Sequence, residues 1–390
     1  MTISEANKLR ILYFLVFCCT ASWLPIFADY LKDRGLTGME IGVVISITPV
    51  MMFVVQPFYG MMADRFGYKK CLLVSSLLAS VSFALYFFDS GFVGLLITTI
   101  VMSLFYNSIQ PLLDSLSLRL AQSNPAFSYG TLRIAGAAGW AFTGIIAGHF
   151  IDTINTSVIF AISSFSLLLL FVFTLSLDAD VKVETVIQQK KKSSVLDVLG
   201  NKQLILLLIA VVLVSIGGTT IWNFYSIYMK ENGATASLVG YGLSFQGLCE
   251  LPFFYFSARI ILKFGLRTTL LITILATSLR LLLYSLVKDP KLAIAIELLH
   301  GISWSLFWVA CVEYVNLLVV EDWRATGQSL LYAAYYGVGA IIGNLWTGYL
   351  YDTELKIGQV FLLNAGIVLG VGVFVYLFVK KPKEMVEGHR

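Results

Sequence analysis

Apolar runs of about twenty residues recur along the whole chain between short polar breaks, a pattern that commits it to helices crossing a bilayer. Each run matches the ~30 Å hydrocarbon core, and lipid accepts a spanning segment only if its helix satisfies its own backbone groups. The runs lie near 9–31, 40–62, 71–88, 92–120, 128–151, 157–176, 203–228, 236–259, 268–287, 292–317, 326–350 and 358–379, twelve in all. With 58% hydrophobic and only 13% charged residues, a soluble chain of 390 residues would hold more apolar surface than it could bury. Lys8 and Arg10 ahead of the first run imitate a signal peptide. That run continues past Trp23 to about Leu31, so it is read as a retained span.

A charged hinge between the second and third runs orients the set. Gly60, Asp64, Arg65, Gly67, Lys69 and Lys70 occupy the fixed places of Gly-x-x-x-Asp-Arg-x-Gly-x-Lys-Lys. The excess of base over acid marks a cytoplasmic face, while the glycines allow a tight turn and close helix approach. Lys190, Lys191, Lys192, Lys263, Arg267, Arg324, Lys380 and Lys381 fall on the same side, and Asp89, Asp152, Asp289 and Asp352 mark the opposite loops. An even number of spans then puts both termini in the cytoplasm. The hinge resembles the cytoplasmic loop motif of the major facilitator superfamily at every fixed position. The resemblance implies an all-α membrane protein, twelve helices in two pseudo-symmetric bundles, acting in a bacterial-type inner membrane as a monomer.

The long polar interruption divides the chain into 1–177, a linker 178–202 and 203–390. The halves repeat: Gly240, Lys263, Phe264, Gly265 and Arg267 answer Gly42, Arg65, Phe66, Gly67 and Lys69 at one constant offset, although the second copy lacks the acid. Parallel repeats of this kind predict a solute site between the halves near mid-depth. Gly139, Gly144 and Gly148 on the fifth span and Gly337, Gly339, Gly343 and Gly348 on the eleventh are spaced for close backbone packing.

An ionised side chain at the bilayer centre costs about 2.5–3.5 kcal/mol, so each one calls for a partner, a cavity or a function. Asp114, Arg133, Glu250, Arg280, His300 and Glu313 are singled out on that ground. Asp114 and Arg133 sit on adjacent antiparallel spans, either as a neutralising pair or as a carboxylate and guanidinium that grip vicinal hydroxyls. Trp140, two turns beyond Arg133, offers a stacking platform or packs on a neighbouring helix. Glu250, Arg280 and His300 share one depth in the second half, where such a trio can hold and pass a proton or simply pin helices together. Glu313 reads as a gate partner of Arg259 or Lys263, or as a second titrating acid. Asn107, Gln110, Trp222, Asn223, Tyr225 and Gln246 add hydrogen-bonding groups that suit a cavity wall or bond a neighbouring backbone.

Asp114 with Arg133-Ile-Ala-Gly136-Ala-Ala-Gly139-Trp140 resembles the lactose permease group, which implies a solute role for Asp114, Arg133 and Trp140. Arg280 and His300 fall where that group has its arginine and histidine. Ser303 replaces the acid one turn after the histidine, and Gly247 stands where the group's acid on the eighth span would be. Glu250, Arg280, Leu299-His300-Gly301 and Arg324-Ala-Thr-Gly327-Gln328-Ser are closer to the phenylpropionate permease branch and to bacterial nucleoside:proton symporters.

The five cysteines, Cys18, Cys19, Cys71, Cys249 and Cys311, have no metal-ligand spacing and are expected as free thiols. With three histidines, no His-Glu-x-x-His and no P-loop, neither an intramembrane enzyme nor an ATP-driven pump is indicated. The net charge of +4 follows loop topology, so no nucleic-acid partner is expected. The expectation is a proton-coupled symporter that imports a small polar solute, a sugar or a nucleoside, needing no cofactor beyond a proton gradient. An aromatic carboxylate permease and a drug or metabolite exporter are the alternatives.

Overall fold

The computed structural model describes residues 4–88, 91–123, 129–177, 200–320 and 323–380. The Lys190 to Lys192 linker, Asp89 and Lys381 lie outside the described residues. Twelve helical rods follow one another, with no strand among the described residues. They are α1 (Glu5–Asp33), α2 (Gly38–Phe66), α3 (Tyr68–Leu85), α4 (Gly91–Ser123), α5 (Tyr129–Thr153), α6 (Val158–Leu175), α7 (Lys202–Glu231), α8 (Ala236–Phe264), α9 (Leu266–Leu286), α10 (Pro290–Leu318), α11 (324–352) and α12 (Ile357–Phe378).

Three rods are not uniform. α1 tightens to a 3₁₀ turn at Leu24–Ile26, where Pro25 has no N–H to give the ladder. α10 carries a 3₁₀ turn at Glu297–Leu299 and a π-turn at Gly301–Leu306, and α11 a π-turn at Ala333–Gly339. Ten of the rods are long and apolar enough to cross a membrane by composition alone. α8 and α11 fall outside that group because polar residues and glycines, with Gln246 and Glu250 in α8 and Gln328 and Asn344 in α11, dilute their apolar content.

The hinge behaves as its residues dictate. Gly67 takes φ +96°, which a side chain would resist, and its N–H returns to the Ala63 carbonyl at 2.9 Å. Lys69 Nζ then donates to the Leu175 and Leu177 carbonyls, at 3.1 and 2.5 Å, neutralising the C-terminal end of α6. Asp64 accepts from the Tyr68 hydroxyl at 2.7 Å, and Arg119 lies over the Tyr68 ring. The second half repeats the device with Gly265 at φ +78° and Arg267 donating to the Tyr376 carbonyl at the end of α12. Arg65 and Lys70 are exposed. Gly60 differs from expectation, since a Cβ there would meet nothing within 4 Å; its neighbourhood is open and no close approach demands a glycine.

Contacts group the described residues into two compact units, whose border does not follow the linker alone. The first contains α1 to α6 together with Asn223–Lys230 and Ala234–Gly247; the second contains the rest of α7 and α8, Glu231–Gly233 and everything from Leu248 on. In the first unit α1 packs on α5 and α6, α2 on α4, and α3 on α4 and α6. Glycines set the closest approaches. A Cβ on Gly139 would lie 2.3 Å from the Phe14 carbonyl, and one on Gly240 2.1 Å from the Gly144 carbonyl, so the start of α8 rests directly on α5. Asp152 then caps α8 by accepting from the Ala236 and Ser237 N–H groups, both at 2.8 Å. Rings of Trp23, Phe27, Tyr30, Phe83, Tyr86 and Phe160 fill the middle of this unit, Tyr86 stacked on Phe160 at 4.2 Å. In the second unit α9 packs along α12, and Gly339 and Gly343 of α11 meet Ser215, Ile216 and Thr219 of α7. All five cysteines are free.

Candidate functional site

The residues singled out from sequence divide between the units by chemistry. Asp114, Arg133, Trp140, Asn107, Gln110, Asn223, Tyr225 and Gln246 all belong to the first unit, and Glu250, Arg280, His300 and Glu313 to the second.

In the first unit Asp114 is half-buried on α4 and accepts from the Tyr13 hydroxyl of α1 at 2.6 Å. Sequence reasoning missed Tyr13, because nothing in the spacing of α1 says which side chains face α4. Arg133 is half-buried near the start of α5. Three residues on, Gly136 faces the Phe17 ring of α1, which brings this stretch of α5 close to the helix that carries Tyr13. Trp140 lies against α8: its indole N–H points to the Leu243 carbonyl at 3.4 Å, and its ring fills the space a Cβ on Gly247 would approach. Asn107 Nδ2 donates to the Thr48 carbonyl of α2 at 2.9 Å, a bond to backbone. Gln110 is half-buried, whereas Asn223, Tyr225 and Gln246 are buried on α7 and α8. A further buried acid, Asp29, pairs with Lys230 at 2.5 Å.

The second unit holds a continuous chain of polar side chains. Glu250 Oε1 lies 2.8 Å from His300 Nε2, and His300 Nδ1 lies 2.7 Å from an Arg280 guanidinium nitrogen. Arg280 continues to Glu297, which also receives the Tyr284 hydroxyl. Arg280, Glu297 and His300 are 3% exposed or less, so this is charge held inside protein. Glu297 and Tyr284 were not anticipated. Their signal was nonetheless present: Glu297 precedes His300 by three residues and Tyr284 follows Arg280 by four, spacings that put each pair on one helix face.

Donor and acceptor roles along this chain are fixed by chemistry. A guanidinium only donates, so His300 Nδ1 must accept, and the imidazole carries its proton on Nε2 and donates it to Glu250. His300 cannot take a second proton while Arg280 occupies Nδ1. The free protonation capacity at this end therefore belongs to the Glu250 carboxylate, which is 22% exposed while its neighbours are sealed. Glu313 is exposed on α10 and enters none of the ion pairs found among the described residues; Arg259 and Lys263 are exposed as well.

Glycine sets this geometry too. A Cβ on Gly301 would lie 2.3 Å from the Cys249 carbonyl and 2.1 Å from the Phe253 ring, so α8 and α10 touch backbone to backbone there. That contact places Glu250, next after Cys249, against His300, next before Gly301. Gly301→Ala is expected to push the helices apart, cost roughly 1–3 kcal/mol of stability, and weaken uptake by loosening the Glu250–His300 bond. Thermal unfolding and solute uptake of the variant check this; an unchanged melting temperature would count against the contact. Beside the chain lies a cavity of about 20 Å³, room for a water, walled by Trp222, Arg280, His300, Ser303, Trp304 and Tyr335.

Comparisons place this architecture. Residues 6–363 match the family described as MFS_1 like family. The chain is 29% identical over 375 residues to the maltose permease of Geobacillus stearothermophilus, covering 95% of this chain and 93% of that one. It is 26% identical to the sucrose permease of Escherichia coli, covering 96% and 93%. A crystal structure of a single-substitution variant of the nucleoside transporter NupG superposes with TM-score 0.87 at 18% identity, covering 96% of this chain and all of that one, which shows the fold. Twelve helices in this order, a hinge used twice and a family match across nearly the whole length agree: the chain belongs to the MFS_1 like family of the major facilitator superfamily and is a multi-pass membrane permease rather than an enzyme.

Proposed function

We propose that this permease imports a small polyhydroxylated solute, a sugar or a nucleoside, together with a proton, by alternating access. One observation carries the proton half of the reading: a sealed chain from Glu297 through Arg280 and His300 ends at Glu250, the only acid of that chain left open to take a proton. Two carboxylates and one guanidinium leave a net negative charge, and a proton on Glu250 removes it, so carriage of the proton and movement of a low-charge site are linked. The solute half rests on Asp114, Arg133 and Trp140, whose carboxylate, guanidinium and indole suit hydroxyls around a ring. Its relatives include permeases for maltose and sucrose, which supports the sugar reading. An aromatic carboxylate is less well served, since Arg280 already holds Glu297. The basic loops support an orientation with both termini in the cytoplasm of a bacterial inner membrane, and the protein is proposed to act there as a monomer.

Reconstitution in liposomes with a pH dye inside tests the reading: sugars, nucleosides and aromatic acids are added in turn outside. Acidification of the lumen with a sugar or nucleoside alone is the expected outcome; silence to all three sinks it. Arg133→Ala is expected to reduce uptake of that solute at least about tenfold, the loss of one charge-assisted contact, with little change in the melting temperature. Uptake equal to wild type removes Arg133 from the site.

A further inference from the structure

Glu297 lies at the end of the second unit's polar chain opposite Glu250, and local structure puts it there. The 3₁₀ turn Glu297–Leu299 brings residues three apart into eclipse, and the His300 N–H closes that turn on the Glu297 carbonyl. The Glu297 and His300 side chains therefore leave α10 on one face, and both reach Arg280 of α9. One Glu297 oxygen accepts from the guanidinium and the other from the Tyr284 hydroxyl, which itself lies 3.3 Å from two Arg280 nitrogens. Two donors, one of them charged, stabilise the negative charge of this buried acid. Glu297 is not among the residues that wall the cavity beside Arg280 and His300. Its charge acts through Arg280 and not by contact with a solute.

Glu250 stands one imidazole away from that guanidinium, with contacts of 2.8 Å and 2.7 Å on the two sides of His300, and the ring between them is neutral because Arg280 donates to Nδ1. A lone cation so near would hold Glu250 as its counter-ion and keep a proton off it. Arg280 and Glu297 together carry no net charge, so Glu250 meets a dipole in place of an ion. The other ionisable groups around the chain leave this balance alone: Cys249 on α8, Tyr284 on α9, Cys311 on α10 and Tyr335 on α11 are thiols and phenols, uncharged at neutral pH. α7 and α12 present the rings of Trp222 and Phe361. We propose that Glu297 is a positioning residue of the proton step, a fixed negative charge that cancels Arg280 and so leaves Glu250 able to accept a proton. This rests on the reading of Glu250 as the proton acceptor and deepens it. The two acids have separate tasks: one keeps its charge throughout, and the other changes it once in each cycle.

Labelling of the purified full chain in detergent with an apolar carbodiimide, which attacks protonated carboxyl groups, tests this. Peptide mass spectrometry reads Glu250 and Glu297 separately across about pH 5 to 9. In wild type Glu250 is expected to gain label as pH falls, and Glu297 to stay unlabelled. In Glu297→Gln the guanidinium is left uncancelled, and the midpoint of Glu250 labelling falls by about one pH unit, roughly a tenfold loss of proton affinity. The pH profile of solute uptake moves to the acid side with it. Arg280→Gln combined with Glu297→Gln removes both charges together, leaves no lone buried ion should the single variant not fold, and is expected to keep the wild-type midpoint. A midpoint unmoved in folded Glu297→Gln, or displaced by about a unit in the double variant, overturns the charge role and leaves Glu250 as the acceptor. Label on Glu297 that rises as pH falls overturns it as well, since Glu297 would then carry a proton itself. Glu250 without label in wild type at every pH sinks the proton reading together with this one. Thermal unfolding accompanies each variant, because a merely structural Glu297 would lower the melting temperature and leave the midpoint in place.

Discussion

Arg280→Leu is expected to be the most damaging single substitution in the chain, costing about 3–5 kcal/mol of stability and abolishing uptake. Arg280 is the hub of the second unit's polar chain. Without it Glu297, 1% exposed, loses its guanidinium counter-charge, and His300 loses the donor that fixes its tautomer. A buried carboxylate stripped of its counter-charge is far costlier than the pair was worth, because the pair had already met its desolvation cost. The double variant Arg280→Leu with Glu297→Leu should therefore recover most of the lost stability, as apolar groups replace both charges together. It should not recover uptake, since the tautomer of His300 is no longer held. Thermal unfolding of both variants in detergent decides the matter; a double variant no more stable than Arg280→Leu would mean that Glu297 is not the burdened partner.

Glu250→Gln is expected to uncouple transport from the proton with little harm to the fold. The amide matches the carboxylate in shape and its carbonyl can still accept from His300 Nε2. It cannot gain or lose a proton, so the site's charge no longer changes between the two journeys of a cycle. Accumulation against a gradient should disappear, while exchange of labelled for unlabelled solute continues and loses its dependence on pH. Accumulation that persists in Glu250→Gln would assign the proton elsewhere, and Glu313, exposed and outside the chain, would be the next acid to replace.

The two expectations rest on different physics. Arg280 acts through the cost of isolated buried charge, which any fold would impose. Glu250 acts through the identity of one proton acceptor, which depends on a hydrogen bond running from Arg280 to His300 and not the reverse. Hence stability measurements address the first and flux measurements the second.

Several features were legible before any coordinates. Twelve spans follow from run length against bilayer thickness, and the rods differ from the expected limits mostly in extending a few residues further, as α1 does to Glu5–Asp33. The hinge and its fainter copy were legible because a turn between antiparallel helices needs positive φ at one place and a cation near the end of a neighbouring helix. Gly67 with Lys69 and Gly265 with Arg267 supply both. Glu250, Arg280 and His300 were legible as one group because ionisable groups in lipid are few and must find one another, but a direct Glu250–Arg280 pair was the fixed arrangement expected, whereas His300 stands between them and Arg280 pairs with Glu297. Glu297 was not part of that group, although its spacing of three residues from His300 puts both on one helix face.

What the chain alone determined is therefore whatever the bilayer enforces locally: span number, turn chemistry, and the shortlist of charges that need company. Tertiary packing decided which of those charges meet, that Trp140 lies on α8, that Gly301 rather than Gly60 is a point of helix contact, and that four rings on α10 and α11 pack on one another. The reason is geometric. A helix reports its own faces through its period, but the rotation of one helix against the next is set by many small contacts distributed over distant parts of the chain, and no short stretch of sequence contains them.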